Sequence, residues 1–187
     1  MSVAVIPAGN VPAGANVSAK RMLSDGRTHE LLLNGFPMAM RFRLELWRVG
    51  GLFDNLESST PWTVLVRFDP YAKSYQIVRQ RARDTEVPAA FPERAAAEAA
   101  LERAVPVALA PLRSGETYYY NVVLDVETLS FTDLDELERW LRGDLQPAAR
   151  GRLNPVSALR RGIGSLVSRM LGGERRHYEA RSASFRA

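Results

Sequence analysis

The chain contains no cysteine among its 187 residues. Disulfide bonds, thiolate metal sites and thiol redox chemistry are therefore excluded. Only two histidines occur, His29 and His177, and no H-x-x-x-H or H-E-x-x-H spacing places two imidazoles on one helical face. We therefore predict no metal site. The sequence also lacks an apolar run of membrane-spanning length and, as written, a basic leader followed by an apolar run, so it predicts neither a membrane span nor a signal peptide.

Catalytic signatures are missing as well. There is no nucleophile elbow, Walker-type loop or dinucleotide fingerprint, and Gly162-Ile163-Gly164 follows no predicted strand and lacks a third glycine. The acidic run Asp133–Glu138 lacks the central glycine of a calcium loop and is interpreted as the start of a helix. Asp54 and Glu57 could pair as general acid and base, but we interpret them as solvated loop acids. The sequence predicts no enzyme activity, no catalytic residue and no cofactor.

The net charge of +4 is unevenly distributed. Residues 1–141 hold 15 basic and 18 acidic side chains, whereas residues 142–187 hold 10 basic and 3 acidic ones. The basic C-terminal region is suited to an acidic protein face or to direct contact with an anionic membrane. Nucleic acid is disfavoured as a partner, because the aromatic run Tyr118–Tyr120 alternates between the two faces of a strand and belongs mostly to the core.

The stretch Met38–Trp47 is the clearest structural signal. Its odd positions include Arg41, Arg43 and Glu45, and this period of two predicts a long, half-buried strand in the middle of a sheet. The apolar side chains of this stretch are Met38, Met40, Phe42, Leu44 and Leu46.

The N-terminal half of the chain carries several turn signals. Residues 1–16 are rich in proline and glycine and are predicted to form an extended arm with little regular structure. Asp25-Gly26 predicts a β-hairpin between Val17–Leu23 and Thr28–Leu33. A polar loop is expected from residue 50 to residue 61, before a second hairpin that runs to about Arg79.

Helices and strands are predicted in the second half too. Alanine-rich residues 92–104 predict a helix, with Pro92 at its first position. Residues 118–126 predict a long strand that neighbours the central one, and residues 133–142 predict a capped helix. Residues 144–173 are interpreted as a basic linker and an amphipathic helix, and residues 174–187 as a strand that returns to the sheet.

These elements together predict one mainly β domain. The expected fold is an antiparallel, immunoglobulin-like β-sandwich at residues 17–143, with about seven or eight strands and two or three short helices.

The amphipathic helix at Pro155–Leu171 carries the predicted partner-binding residues. Its apolar stripe spans about 140° on a helical projection, with Arg160 at its edge. Three surfaces could cover this stripe: the protein's own sheet, a protein partner or an anionic membrane. The stripe consists of Val156, Leu159, Ile163, Leu166, Val167, Met170 and Leu171.

Four stretches between about Leu31 and Leu145 carry a family resemblance: LLLNGFPMAMRFRLELWR, VRFDPYAKSYQIVR, FPERAAAEAALERA and SGETYYYNVVLDVETL. Together they resemble the bacterial domain-of-unknown-function family 4390. The resemblance implies a β architecture and a place in the periplasm or cell envelope, and it brings no reaction with it. The chain departs from the family in its basic helical insertion and in its start, which as written implies the cytoplasm.

The sequence thus predicts a non-enzymatic interaction or scaffold protein. We expect an accessory subunit that docks on a larger protein assembly, and a membrane protein complex is one such partner. The alternative is a carrier that binds a small apolar ligand between its sheets.

Overall fold

A computed structural model describes residues 1–9, 13–81, 84–128 and 175–187 of the chain. Strands account for 56% of these residues, and two helices are present among them. The prediction of a mainly β fold with antiparallel sheets is confirmed. Its finer form, an immunoglobulin-like sandwich, stays a prediction.

The described strands are β1 (Ser2–Pro7), β2 (Gly14–Lys20), β3 (Met38–Arg48), β4 (Asn55–Asp69), β5 (Ser74–Arg81), β6 (Asp84–Thr85), β7 (Ala89–Phe91), β8 (Val105–Ala108), β9 (Thr117–Thr128), β10 (Arg175–Arg181) and β11 (Phe185–Arg186). The described helices are α1 (Gly26–Leu33) and α2 (Arg94–Glu102).

The large sheet has eight strands and curls into half of a barrel. Its main order is β10-β9-β3-β4-β5-β6, while β11 also pairs with β9 and β7 with β5. The central position predicted for Met38–Trp47 is confirmed, and so is its pairing with the later long strand, since Phe42 lies opposite Leu124. All five predicted apolar side chains of β3 are buried.

A three-stranded sheet of order β1-β2-β8 packs against the inner face of the large sheet. Val17 and Ala19 of β2 face Met40 and Phe42 of β3, and both helices add side chains to the same apolar core. This core is continuous between the two sheets, so folding of the small sheet depends on the large one.

The N-terminal predictions were wrong in two respects. Residues 1–16 include β1 and the start of β2, which pair antiparallel, because alternate small apolar residues such as Ala15 and Val17 are buried. The second strand of the predicted first hairpin is instead α1. Asp25 does not form a hairpin turn; its side chain accepts a hydrogen bond from the Thr28 amide and caps the helix.

The remaining element predictions fare better. The helix predicted at 92–104 is α2, although it begins at Arg94 rather than at Pro92. The predicted loop from residue 50 to residue 61 is shorter than expected, because β4 already starts at Asn55. The C-terminal strand is confirmed as β10 and β11, which cover the edge of β9.

Some predictions lie outside the described residues. They are the helix at 133–142, the linker and helix at 144–173, and with them all eight predicted partner-binding residues. Within the described parts, no helix is both long enough and apolar enough to span a bilayer.

Candidate functional site

The outer face of the large sheet carries an aromatic cluster on its central strands. Trp47 of β3 lies directly opposite Tyr119 of β9, and their rings are parallel within 3° with centroids 6.4 Å apart. A β-bulge between Leu46 and Trp47 shifts the register with β4, so that Leu56 becomes the partner of Trp47. The bulge therefore aligns an aliphatic and two aromatic side chains across three strands.

Arg181 of β10 extends this row over a fourth strand. Its guanidinium carbon lies 3.3 Å from the centroid of the Tyr119 ring, a cation–π contact. The Tyr119 hydroxyl donates to Asp54 across 3.0 Å, and Asp54 also lies 3.9 Å from Arg181. Burial, together with the Asp54 carboxylate, raises the pKa of Tyr119, so the phenol remains a hydrogen-bond donor at neutral pH. We call Trp47, Leu56, Tyr119 and Arg181 the aromatic face.

A buried carboxylate supports the aromatic face from below. Glu45 is only 5% exposed although it lies on the outer side of β3. It accepts hydrogen bonds from Arg43 Nε at 2.7 Å, Trp47 Nε1 at 2.9 Å and Asn121 Nδ2 at 3.1 Å. Burial acts to raise the pKa of Glu45, but these three donors outweigh it and the pKa is lowered. The side chain is therefore ionised and held in one orientation.

Asn121 links Glu45 to a second acid. Its amide nitrogen also donates to Glu179 Oε1 across 2.8 Å, beside an open hollow of about 440 Å³. A general acid needs a carboxyl group with a raised pKa, whereas the pKa of Glu45 is lowered. Glu45 is therefore held as an anion that orients its neighbours rather than as a proton donor. The hollow is lined by Trp47, Tyr119, Asn121, Glu179, Ala180 and Arg181.

The loop between β3 and β4 presents two apolar side chains beside this face. Leu52 is 91% exposed and Phe53 is 83% exposed. The loop is closed tightly, because a Cβ on Gly50 would lie 1.9 Å from the Phe53 carbonyl oxygen and only glycine fits. Asp54 accepts from the Gly50 amide across 3.1 Å and thus fixes the loop to the Tyr119 hydroxyl. We call Leu52 and Phe53 the apolar tip.

A cavity between the two sheets is much smaller than the hollow on the outer face. A cavity of about 20 Å³ lies between β2 and β3, beside the stacked rings of Phe42 and Trp62. Pockets for small molecules usually measure roughly 300–1,000 Å³. The cavity beside Phe42 and Trp62 is therefore far smaller than such a pocket.

The residues considered for chemistry on sequence grounds are dispersed. His29 Nε2 lies 2.7 Å from the Tyr75 hydroxyl, and His177 Nδ1 of β10 lies 2.9 Å from Asp125 of β9. Glu57 forms an ion pair with Arg48 at 2.6 Å. In the part of the chain that the structure describes, no three acidic or histidine side chains converge to hold a metal ion.

The aromatic face was missed by sequence reasoning. Trp47 and Tyr119 occupy the polar phase of their strands, and this anomaly was the available signal. Their contact depends on the β3–β9 register, and the contribution of Arg181 depends on the register between β9 and β10. Asp54 was interpreted as a solvated loop acid, but it joins the loop to the aromatic face.

The chain was compared with family models, curated proteins and solved structures. No family model, curated protein or solved structure matches the chain. The resemblance to family 4390 therefore stays a prediction.

Proposed function

We propose that this chain is a non-enzymatic interaction protein, an accessory subunit that docks on a larger protein assembly through the aromatic face and the apolar tip. The aromatic face carries the proposal, because Trp, Tyr and Arg are the residue types most enriched in interface hot spots. Here Trp47, Tyr119 and Arg181 occur side by side on one surface.

The energetics of the apolar tip support docking. Leu52 and Phe53 contribute almost nothing to the protein's own core because both are more than four-fifths exposed. Burial of each side chain in a partner would contribute about 1.5–3 kcal/mol. The loop is already fixed by Gly50 and Asp54, so less conformational entropy is lost on binding than for a free loop.

Three finer assignments belong to the same proposal. The two sheets share one core, which supports a β-sandwich description of the domain. Membership of family 4390 and a place in the cell envelope rest on the resemblance alone. The proposal that the partner assembly is a membrane protein complex rests on the basic C-terminal region, which contains ten basic and three acidic side chains.

The proposal is tested with the double variant Leu52→Ser/Phe53→Ser. Tyr71→Ser provides a matched control, because Tyr71 is 97% exposed at a different hairpin, between β4 and β5. Both variants should melt with the parent, since none of these side chains packs in the core. Parent, control and double variant are then immobilised and exposed to extracts of the source organism, with bound proteins quantified by mass spectrometry.

Proteins retained by the parent and by Tyr71→Ser but lost with the double variant would identify the docked assembly. Arg181→Glu should lose the same proteins, because it removes the cation from Tyr119 and reverses the charge of the face. An identical set of bound proteins for all four chains would refute docking through this surface.

The predicted stripe at Pro155–Leu171 is proposed as a second docking element. The double variant Ile163→Asp/Leu166→Asp distinguishes the three surfaces that could cover it. A lower melting temperature would assign the stripe to the protein's own sheet. An unchanged melting temperature with lost binding would assign it to a partner or to lipid, and steep weakening by salt would favour anionic lipid.

A further inference from the structure

Half of β4 has an open edge. The strand runs from Asn55 to Asp69, but β5 pairs only with Trp62–Asp69. On the other side, β3 pairs with β4 from Asn55 to Val66, with a β-bulge at Glu57. Among the described residues, no strand covers the outer edge of β4 from residue 55 to residue 61. Open edges of this length are pairing templates for another chain.

The proline at the end of this segment defines which backbone groups face outward. Pro61 lacks an N–H and lies opposite Arg43 of β3. Proline in a sheet normally directs its nitrogen to the open side, where no ladder bond is lost. Ser59, two positions earlier and before any register shift, then directs its N–H and C=O to the same open side. The edge thus offers a donor and an acceptor at Ser59 and an acceptor at Pro61.

Pro61 and the β-bulge at Glu57 limit how far a second strand can pair with this edge, but protection by charge is weak. Natural edges carry free lysines or other charges that discourage a second strand. The one ionisable side chain of this edge is Glu57, and Arg48 on β3 neutralises it at 2.6 Å. Its neighbours Ser58, Ser59 and Thr60 are small and uncharged.

We infer that two copies of this chain associate by antiparallel pairing of this edge about a two-fold axis at Ser59. Ser59 then lies opposite Ser59 of the second copy, and the two residues exchange a pair of N–H···O bonds. Glu57 falls opposite Pro61 of the second copy, so no two like charges meet. The pairing ends beyond Pro61, because Trp62 already has Arg81 of β5 as its neighbour.

A second copy fits this edge because the segment is self-complementary in that register. A two-fold interface requires that the residue on the axis tolerate its own symmetry mate, and a small serine satisfies this condition. The paired edges would join the two large sheets into one continuous sheet. The aromatic face would be present twice on the outer side of that sheet.

The absence of cysteine allows a direct test. Ser59→Cys places the only thiol of each chain at the proposed axis, whereas Ser114→Cys places it in an exposed turn before β9. With a short bismaleimide cross-linker, Ser59→Cys should give covalent dimers far faster than Ser114→Cys. Equal rates for the two variants would overturn the pairing.

Charge variants provide an independent measurement by sedimentation. The parent and Ser59→Thr should show a concentration-dependent dimer, whereas Ser59→Lys should dimerise about fivefold more weakly or worse, because two ammonium groups meet at the axis. Ser59→Lys is expected to fold normally, since residue 59 is exposed. An equal mixture of Ser59→Lys and Ser59→Asp should restore the dimer, provided that both variants melt with the parent, because residue 59 lies directly opposite Glu45 on β3. A parent that stays monomeric up to its solubility limit would refute the inference, even if other proteins bind the edge.

Discussion

Trp47 donates its indole N–H to Glu45, two positions earlier on the same strand, across 2.9 Å. The same carboxylate accepts from Arg43 and Asn121, so one buried anion orients side chains of two neighbouring strands. The indole is thereby fixed beside Tyr119 without any contact with the inner core. A surface prepared in this way loses little side-chain entropy when a partner covers it.

Replacement of Glu45 by glutamine should destabilise the fold by about 1–3 kcal/mol, because an amide cannot accept from three donors as a carboxylate does. The pKa of Glu45 is below its ordinary value of 4.5, so its stabilising effect is present above that pH and is lost as the pH falls below it. The free energies of unfolding of parent and variant, measured with urea from neutral pH to pH 3, should therefore converge as the pH falls. Glu30→Gln, on the exposed side of α1, is the control. Parallel pH curves for parent and Glu45→Gln would contradict the assignment.

Asp25 connects α1 to the C-terminal strand. Hydrogen bonds from Arg176 and then from Thr28 lower its pKa from 3.8 to about 2. Asp25→Ala should cost about 1 kcal/mol through the lost helix cap, while Asp25→Asn keeps the cap and loses the charge. In the parent, the stability contributed by the ionised Asp25 carboxylate should be lost in one step as the pH falls from 3.8 towards 2. Thermal melts of Asp25→Asn should show no such step. A step of equal size in both proteins would exclude Asp25 as its source.

The C-terminal strands are expected to be structural. The Phe185 ring stacks on Tyr120 with centroids 5.1 Å apart, and β10 covers the edge of β9. A chain that ends after Gly173 should lose cooperative unfolding or become insoluble. Phe185→Ala should cost about 2 kcal/mol, since its ring is partly buried, whereas Phe53→Ala should stay within about 0.5 kcal/mol. A truncated chain that melts like the parent would show that these strands are dispensable.

The stability of the fold at alkaline pH should depend on Tyr120. Its buried hydroxyl donates to the Leu109 carbonyl across 2.7 Å, and burial raises its pKa to about 12. A raised folded-state pKa gives stability that is complete below the ordinary value of 10.0 and is lost as the pH rises towards 12. Tyr120→Phe should cost about 1–2 kcal/mol near neutrality and should unfold with less pH dependence above pH 10. The check is denaturant unfolding across that range. Tyr71→Phe serves as the comparison, because Tyr71 is 97% exposed between β4 and β5.

Periodicity alone identified the centre of the fold. The period of two in Met38–Trp47 and in residues 118–126 predicts both central strands, because alternate side chains of a half-buried strand point into the core and away from it. The alanine-rich helix was equally evident, since helix propensity acts locally. The misassigned N-terminal region has weak signals: small residues in β2 are apolar enough to be buried without forming a visible pattern, and Asp-Gly suits both a hairpin turn and a helix cap.

The mainly β class, the two central strands and the lack of thiol chemistry can be read from the sequence, because each follows from composition or from the order of neighbouring residues. That Trp47, Tyr119 and Arg181 share one surface, and that β4 extends beyond β5, is visible only in the folded chain. These features depend on strand register, on one bulge and on where a hairpin partner stops. A shift of one residue in register moves a side chain to the opposite face, and register is fixed by packing between segments that are distant in the chain.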